Sequence, residues 1–170
     1  MRFRRGTRDD VPALVALINS VYRGDTSRLG WTTEADLLDG QRTDADEIEG
    51  LMAAADSLFL VSEDADGILG ALHLARDGEL AWLGMFSIRP GRQGQGLGKI
   101  FLDAAEAEVR QRWRSRGLRM SVISLRDELI AYYERRGFRR TGEMLPFPTD
   151  PRFGIPKVEQ LEFAVLEKPL

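Results

Sequence analysis

The 170-residue chain has no cysteine and only one histidine, His73. The first absence excludes disulfides, thiolate metal sites and a thiol nucleophile. The second excludes a metal site built from several imidazoles. No apolar run approaches the roughly 20 residues of a membrane-spanning helix, and the basic start Met1-Arg2-Phe3-Arg4-Arg5 leads into no apolar signal segment. A cytoplasmic protein with no membrane partner is the expectation. Strong positive charge is missing as well, and a net charge of −3 argues against a general nucleic-acid binder. What remains is 43% hydrophobic and 30% charged residues, an ordinary globular composition at a length that suits a single domain over 1–170.

The chain is organised around Gln93-Gly94-Gln95-Gly96-Leu97-Gly98. Upstream, Leu80 to Ile88 reads as a strand ended by Arg89-Pro90. Downstream, Leu97, Phe101, Ala105, Val109 and Trp113 form one face of a helix to about Arg116. Strand, glycine turn and helix N-terminus make an anion site, because unpaired N–H groups and the helix dipole point at a ligand that glycine lets come close. A phosphorylated ligand is expected here; the plainer reading is a tight turn. The turn lacks the Lys and hydroxyl of a G-x-x-x-x-G-K-S/T phosphate loop. Its G-x-G-x-G spacing also departs from the dinucleotide G-x-G-x-x-G.

Elsewhere, Phe3 to Gly6 reads as a first strand, and Thr7-Arg8-Asp9-Asp10 has capping-box spacing before an amphipathic helix from Val11 to Tyr22. Thr33 to Leu38 reads as a short helix and Asp44 to Ala55 as a longer one capped by Thr43 or Asp44. Between Glu34 and Glu49 stand seven acids against one base, Arg42. That is a solvated face or an attractor for a cationic substrate. Leu58–Val61, Ile68–Leu74 and Leu80–Ile88 form an antiparallel meander. After the central helix, Gly117 reads as its C-cap. Leu118–Leu125 is a strand that a right-handed crossover sets parallel to Leu80–Ile88. A helix from Asp127 to about Arg136 ends at Gly137, and Phe138–Thr141 and Leu161–Val165 close the chain as strands. The proline-rich connection Gly142–Lys157 is a wall of a substrate pocket or a passive loop.

Two of these segments together resemble the GNAT family of N-acetyltransferases. Gln93, Gly96 and Gly98 match its cofactor loop, Q/R-x-x-G-x-G/A, and Tyr132-Tyr133-Glu134-Arg135-Arg136-Gly137-Phe138 matches its Y-x-x-x-G-F segment. The resemblance implies an α/β fold with a mixed, mostly antiparallel sheet of six to seven strands and helices on both faces. It also implies acetyl transfer from acetyl-CoA to the amine of a small molecule or peptide, by direct attack in a ternary complex without a metal. A homodimer is permitted.

Four tasks follow from that chemistry: holding the cofactor, polarising its carbonyl, deprotonating the amine and protonating the departing thiolate. By the resemblance, Gln93, Gly94, Gln95, Gly96, Leu97, Gly98 and Lys99 hold the pyrophosphate, with Arg89, Arg92 and Lys99 flanking it. The strand Phe86-Ser87-Ile88 offers its edge to the pantetheine arm, freed where the two parallel strands splay. A bulge at Gly84-Met85 would aim an N–H at the thioester oxygen; close helix packing is the other reading of that glycine. Tyr133 matches the family's general acid, and Tyr132 beside it reads as a packing residue. No acid lies inside Leu80–Ser87, where many relatives carry a Glu. The base candidates are therefore Glu79, His73, Ser124 or water. Arg126 stands where the family often has Asn. On the acceptor side, Trp31 and Glu34 pair an aromatic face with a carboxylate suited to an ammonium; a packing Trp and a helix cap are the alternative. A non-catalytic acyl-CoA-binding module and a nucleotide-phosphate binder are the rival readings of the same loop.

Overall fold

The computed structural model describes residues 1–30 and 33–170. The helices are α1 (Val11–Tyr22), the single turn α2 (Gly24–Ser27), α3 (Ala45–Ala53), α4 (Leu97–Trp113) and α5 (Asp127–Glu134). Among the strands, β1 (Phe3–Arg5), β3 (Ser57–Asp64), β4 (Gly67–Asp77), β5 (Leu80–Ile88), β6 (Gly117–Ile123), β7 (Arg139–Pro146) and β9 (Glu162–Pro169) form one sheet. Its order is β1-β3-β4-β5-β6-β9-β7. The short strands β2 (Leu38–Asp39) and β8 (Ile155–Pro156) pair separately. Among the described residues only β5 and β6 run parallel, as the crossover through α4 requires.

Each face of the sheet is covered because its strands alternate apolar residues on both sides. On one face, Leu58, Leu60, Leu72, Leu74 and Leu83 pack against Phe101, Ala105 and Val109 of α4 and Ile130 of α5. On the other, Phe59, Val61, Ala71 and Met85 pack against Leu14, Leu17 and Ile18 of α1 and Ile48 of α3. Gly70 allows α4 to close on the sheet, since a Cβ there would stand 2.6 Å from the Phe101 ring. The 3-10 turn Arg8–Asp10 that leads into α1 is closed by Asp10, which accepts from the Thr7 N–H at 2.7 Å, and the start of α3 is capped by Asp44, which accepts from the Glu47 N–H at 2.8 Å.

Several sequence expectations shift. Residues 33–37 form turns, with the Leu37 and Leu38 N–H groups both donating to the Glu34 carbonyl at 2.9 Å, so the expected short helix is absent. Arg114, in the left-handed region at φ 54°, caps α4. Gly117 instead opens β6, where a Cβ would meet Leu80 Cδ2 at 2.8 Å and the Lys168 carbonyl at 3.0 Å. The connection expected over Gly142–Lys157 is shorter and more ordered, since β7 runs on to Pro146 and β8 pairs with β2.

Candidate active site

The parallel pairing of β5 and β6 covers only Leu80–Trp82 against Gly117–Arg119. Beyond it the strands separate, leaving part of β5 without a sheet partner on that side. A bulge on β5 adds to this divergence. His73 pairs with Gly84 and Ala71 with Ser87, so one residue on β4 faces two on β5. Met85 takes φ 51°, a left-handed conformation that a non-glycine side chain adopts at a cost of about 1–3 kcal/mol. A Cβ on Gly84 would touch nothing within 4 Å, so this glycine does not serve helix packing; it borders open space.

Two cavities occupy the gap. The first, of about 380 Å³, is lined by Leu83–Phe86 of β5, Met120–Ile123 of β6, α1, α3 and the segment carrying Phe147, Pro148 and Phe153. The second, of about 340 Å³, lies between the end of β5, the glycine turn and α5. They share Tyr22, Phe86, Arg126, Leu129 and Tyr133.

Within the second cavity the structure brings together Phe86, Ile88, Gln93, Gly94 and Gly98 of the expected cofactor residues. Gly94 and Gly96 adopt φ 80° and 74°, and a Cβ on either would enter open space. Gly98 is required for a different reason: the Tyr132 hydroxyl lies 2.0 Å from where its Cβ would be. Tyr132 packs against the core as expected and also lies across the first turn of α4, where it lines this cavity. Other expected residues turn their side chains elsewhere. Ser87 is buried and donates to the Met85 carbonyl at 3.0 Å, and Leu97 joins the core. Gln95 is exposed, and Lys99 pairs with Asp103 at 2.6 Å. Arg89 and Arg92 are both tied to Asp64, at 3.2 and 2.8 Å. What these positions can offer a ligand is backbone: the first N–H groups of α4 have no partner within the helix. On β5, the Phe86 carbonyl accepts from Tyr22 Oη at 2.9 Å and the Ile88 carbonyl from Gln93 Nε2 at 3.0 Å. Each keeps its second lone pair.

Tyr133 is 6% exposed and stands where the cavities meet. Burial, followed by the nearby Tyr22 phenol, pushes its hydroxyl well above the ordinary tyrosine value and keeps it protonated. Among the described residues its hydroxyl makes no hydrogen bond.

The wall of the first cavity holds a buried ion triad. One Glu34 oxygen accepts from Arg23 Nη1, and the other from Arg126 Nη1 at 2.9 Å. Arg23 also donates to the Phe153 carbonyl at 2.9 Å, which ties the late loop to α1. Gly154, at φ 127°, makes room for this guanidinium, because a Cβ there would stand 2.9 Å from Nη2. Glu34 thus lines the cavity with both oxygens engaged. Trp31 lies outside the described residues. Sequence reasoning missed Tyr22, Arg23, Glu47 and Leu129, which carry no local signature; Arg42 stood out only as the one base among acids.

None of the three side-chain base candidates faces the cavity. Glu79 is exposed beside Arg116, Ser124 lies outside the lining, and His73 bonds Ser57 Oγ at 2.7 Å. Burial, with Arg42 second, lowers the His73 pKa to about 4, so the ring is neutral at neutral pH. Among the described residues there is no cluster able to hold a metal, and no helix is long and apolar enough to cross a membrane.

Structures of known proteins share this architecture. Ribosomal-protein-alanine N-acetyltransferase from Brucella melitensis superposes with a TM-score of 0.72 at 19% identity, covering 100% of both chains. Ribosomal-protein-S18-alanine N-acetyltransferase from Escherichia coli gives 0.72 at 16%, covering 99% of this chain and 92% of that one. Spermidine N-acetyltransferase from Vibrio cholerae, solved with CoA and spermine, gives 0.70 at 17%, covering 99% and 94%. No curated protein matches the chain in sequence. Residues 33–146, well over half of the chain, match the acetyltransferase (GNAT) domain. With the glycine turn at the mouth of the split sheet and Tyr133 beside it, the chain belongs to the acetyltransferase (GNAT) domain family and is an enzyme of that class.

Proposed function

We propose that this enzyme transfers an acetyl group from acetyl-CoA to an amine, by direct attack with both substrates bound. The observation that carries the reading is the joining of two differently built cavities at one buried tyrosine. One offers glycine backbone and a helix N-terminus; the other is walled by side chains, apolar ones together with the charged Arg23, Glu34, Arg42, Glu47 and Arg126. Acetyl-CoA supplies the acetyl group as a thioester. The backbone of Gln93–Lys99 holds its pyrophosphate, because the positive φ of Gly94 and Gly96 leaves that approach open. The unpaired stretch Phe86–Ile88 holds the pantetheine arm in the manner of an added strand. The bulge at Gly84-Met85 turns backbone toward the reacting carbonyl.

As the amine nitrogen bonds to the carbonyl carbon and the carbon–sulfur bond breaks, Tyr133 gives its proton to the departing sulfur. The amine yields its proton to water, since none of Glu79, His73 and Ser124 faces the cavity. Glu34 serves as the anchor of the pocket wall, and Trp31 remains a proposed acceptor contact.

Tyr133→Phe tests the assignment. The ring still packs against Phe138 while the proton donor is lost. We expect kcat to fall about 100-fold, the lower end of general acid catalysis, with acetyl-CoA affinity unchanged. Thiol release over a panel of amines and calorimetry with acetyl-CoA supply the two readouts. Full kcat in a folded variant would remove Tyr133 from the chemistry.

A further inference from the structure

The acceptor cavity carries more positive than negative charge. Arg23, Arg42 and Arg126 line it against Glu34 and Glu47. Arg23 and Arg126 are held by Glu34. Glu47 Oε1 accepts from the Thr43 hydroxyl at 2.6 Å and forms an ion pair with Arg42 Nη1 at 3.8 Å, too long for a hydrogen bond. The Arg42 guanidinium makes no side-chain hydrogen bond among the described residues. It stands over the Tyr22 ring at 5.6 Å, with its side chain 25% exposed.

A guanidinium presents donors in a fork that matches a carboxylate, and in a partly desolvated, apolar-walled cavity such pairing is strong. Most of the rest of the lining, including Leu51, Leu83, Met120 and Phe163, is apolar. Conversely, a polyamine would bring further cations to a cavity lined by three guanidiniums against two carboxylates. We propose that the acceptor is an amine of amino-acid size that also bears a carboxylate, seated on Arg42, with an apolar body against the remaining wall. This names the substrate class of the acetyltransferase reading and rests on it.

The test uses product binding, which needs no turnover. N-acetylphenylalanine and N-acetylphenylalaninamide differ only in the carboxylate, and each is titrated calorimetrically into the protein with and without saturating CoA. The acid should bind about tenfold or more tightly than the amide, the scale of one charge-assisted hydrogen bond. Arg42→Gln should erase the difference, and Arg42→Lys should keep part of it. Equal affinities, no binding of either compound, or a preference that survives Arg42→Gln would overturn the proposal. Failure of the wild-type protein to bind acetyl-CoA is a separate result. It would overturn the acetyltransferase reading, while the titrations without CoA still report on Arg42.

Discussion

The two cavities that meet at Tyr133 are built by different means. The side proposed for the cofactor is made from one continuous stretch, the end of β5, the glycine turn and the first turn of α4, with α5 laid over it. Its chemistry is backbone: left-handed glycines and unpaired N–H groups. The acceptor side is assembled from distant segments and held by charge. Arg23 meets Glu34 across 11 residues, and Glu34 meets Arg126 across 92. A backbone site tolerates changes in side chains that keep its φ angles. A site held by a buried triad depends on each member, because removing one leaves the others charged and unpaired.

That contrast is broken most severely at Glu34. Glu34→Gln keeps the shape but leaves two buried guanidiniums without their counter-charge, and should cost about 3–5 kcal/mol of stability. Urea unfolding measures it, and a loss under about 1 kcal/mol would mean that the triad does not hold the acceptor wall. On the cofactor side, Gly96→Val should act on binding more than on folding. Its Cβ meets nothing within 4 Å, but φ 74° strains a β-branched residue and the side chain fills the ligand's approach. Acetyl-CoA affinity should fall about tenfold or more, given overpacking costs of 1–3 kcal/mol. Unchanged affinity by calorimetry would take the pyrophosphate off this turn.

The mildest difference is in pH. His73 lies beside Gly84 across the sheet, and its pKa falls from 6.5 to about 4 in the folded protein. Between those values the unfolded chain binds more protons, so stability should drop as pH falls through that window. His73→Gln should flatten the dependence of the urea midpoint between pH 7 and pH 4.5. An unchanged slope would assign the acid sensitivity to other groups.

How much could be read beforehand follows the same division. The glycine turn, the α4 stripe from Leu97 to Trp113 and the parallel crossover were all legible, because each is a local pattern that a few residues complete. The bulge at Gly84-Met85 was legible for the same reason, a glycine inside a strand. Where reading failed, tertiary contact had overridden local preference. Residues 33–37 have helix-forming character but turn instead, which delivers the Glu34 carboxylate to two guanidiniums. Tyr132 packs against the core as expected, and on a short helix over α4 it also reaches Gly98.

By itself, then, the sequence determined the element order, the mixed sheet and the glycine turn before α4 where we propose that the cofactor docks, since these depend on backbone conformation and short-range periodicity. Only the tertiary structure decided the character of the acceptor cavity. Seven acids in one stretch suggested an attractor for cations, but folding commits most of them: Glu34 to Arg23 and Arg126, Asp36 to Arg28, Asp44 to Arg152, Glu47 to Thr43. The balance left facing the cavity is three guanidiniums against two carboxylates, with Arg42 held by Glu47 only at 3.8 Å, because electrostatics at a site depends on how charges are matched after packing.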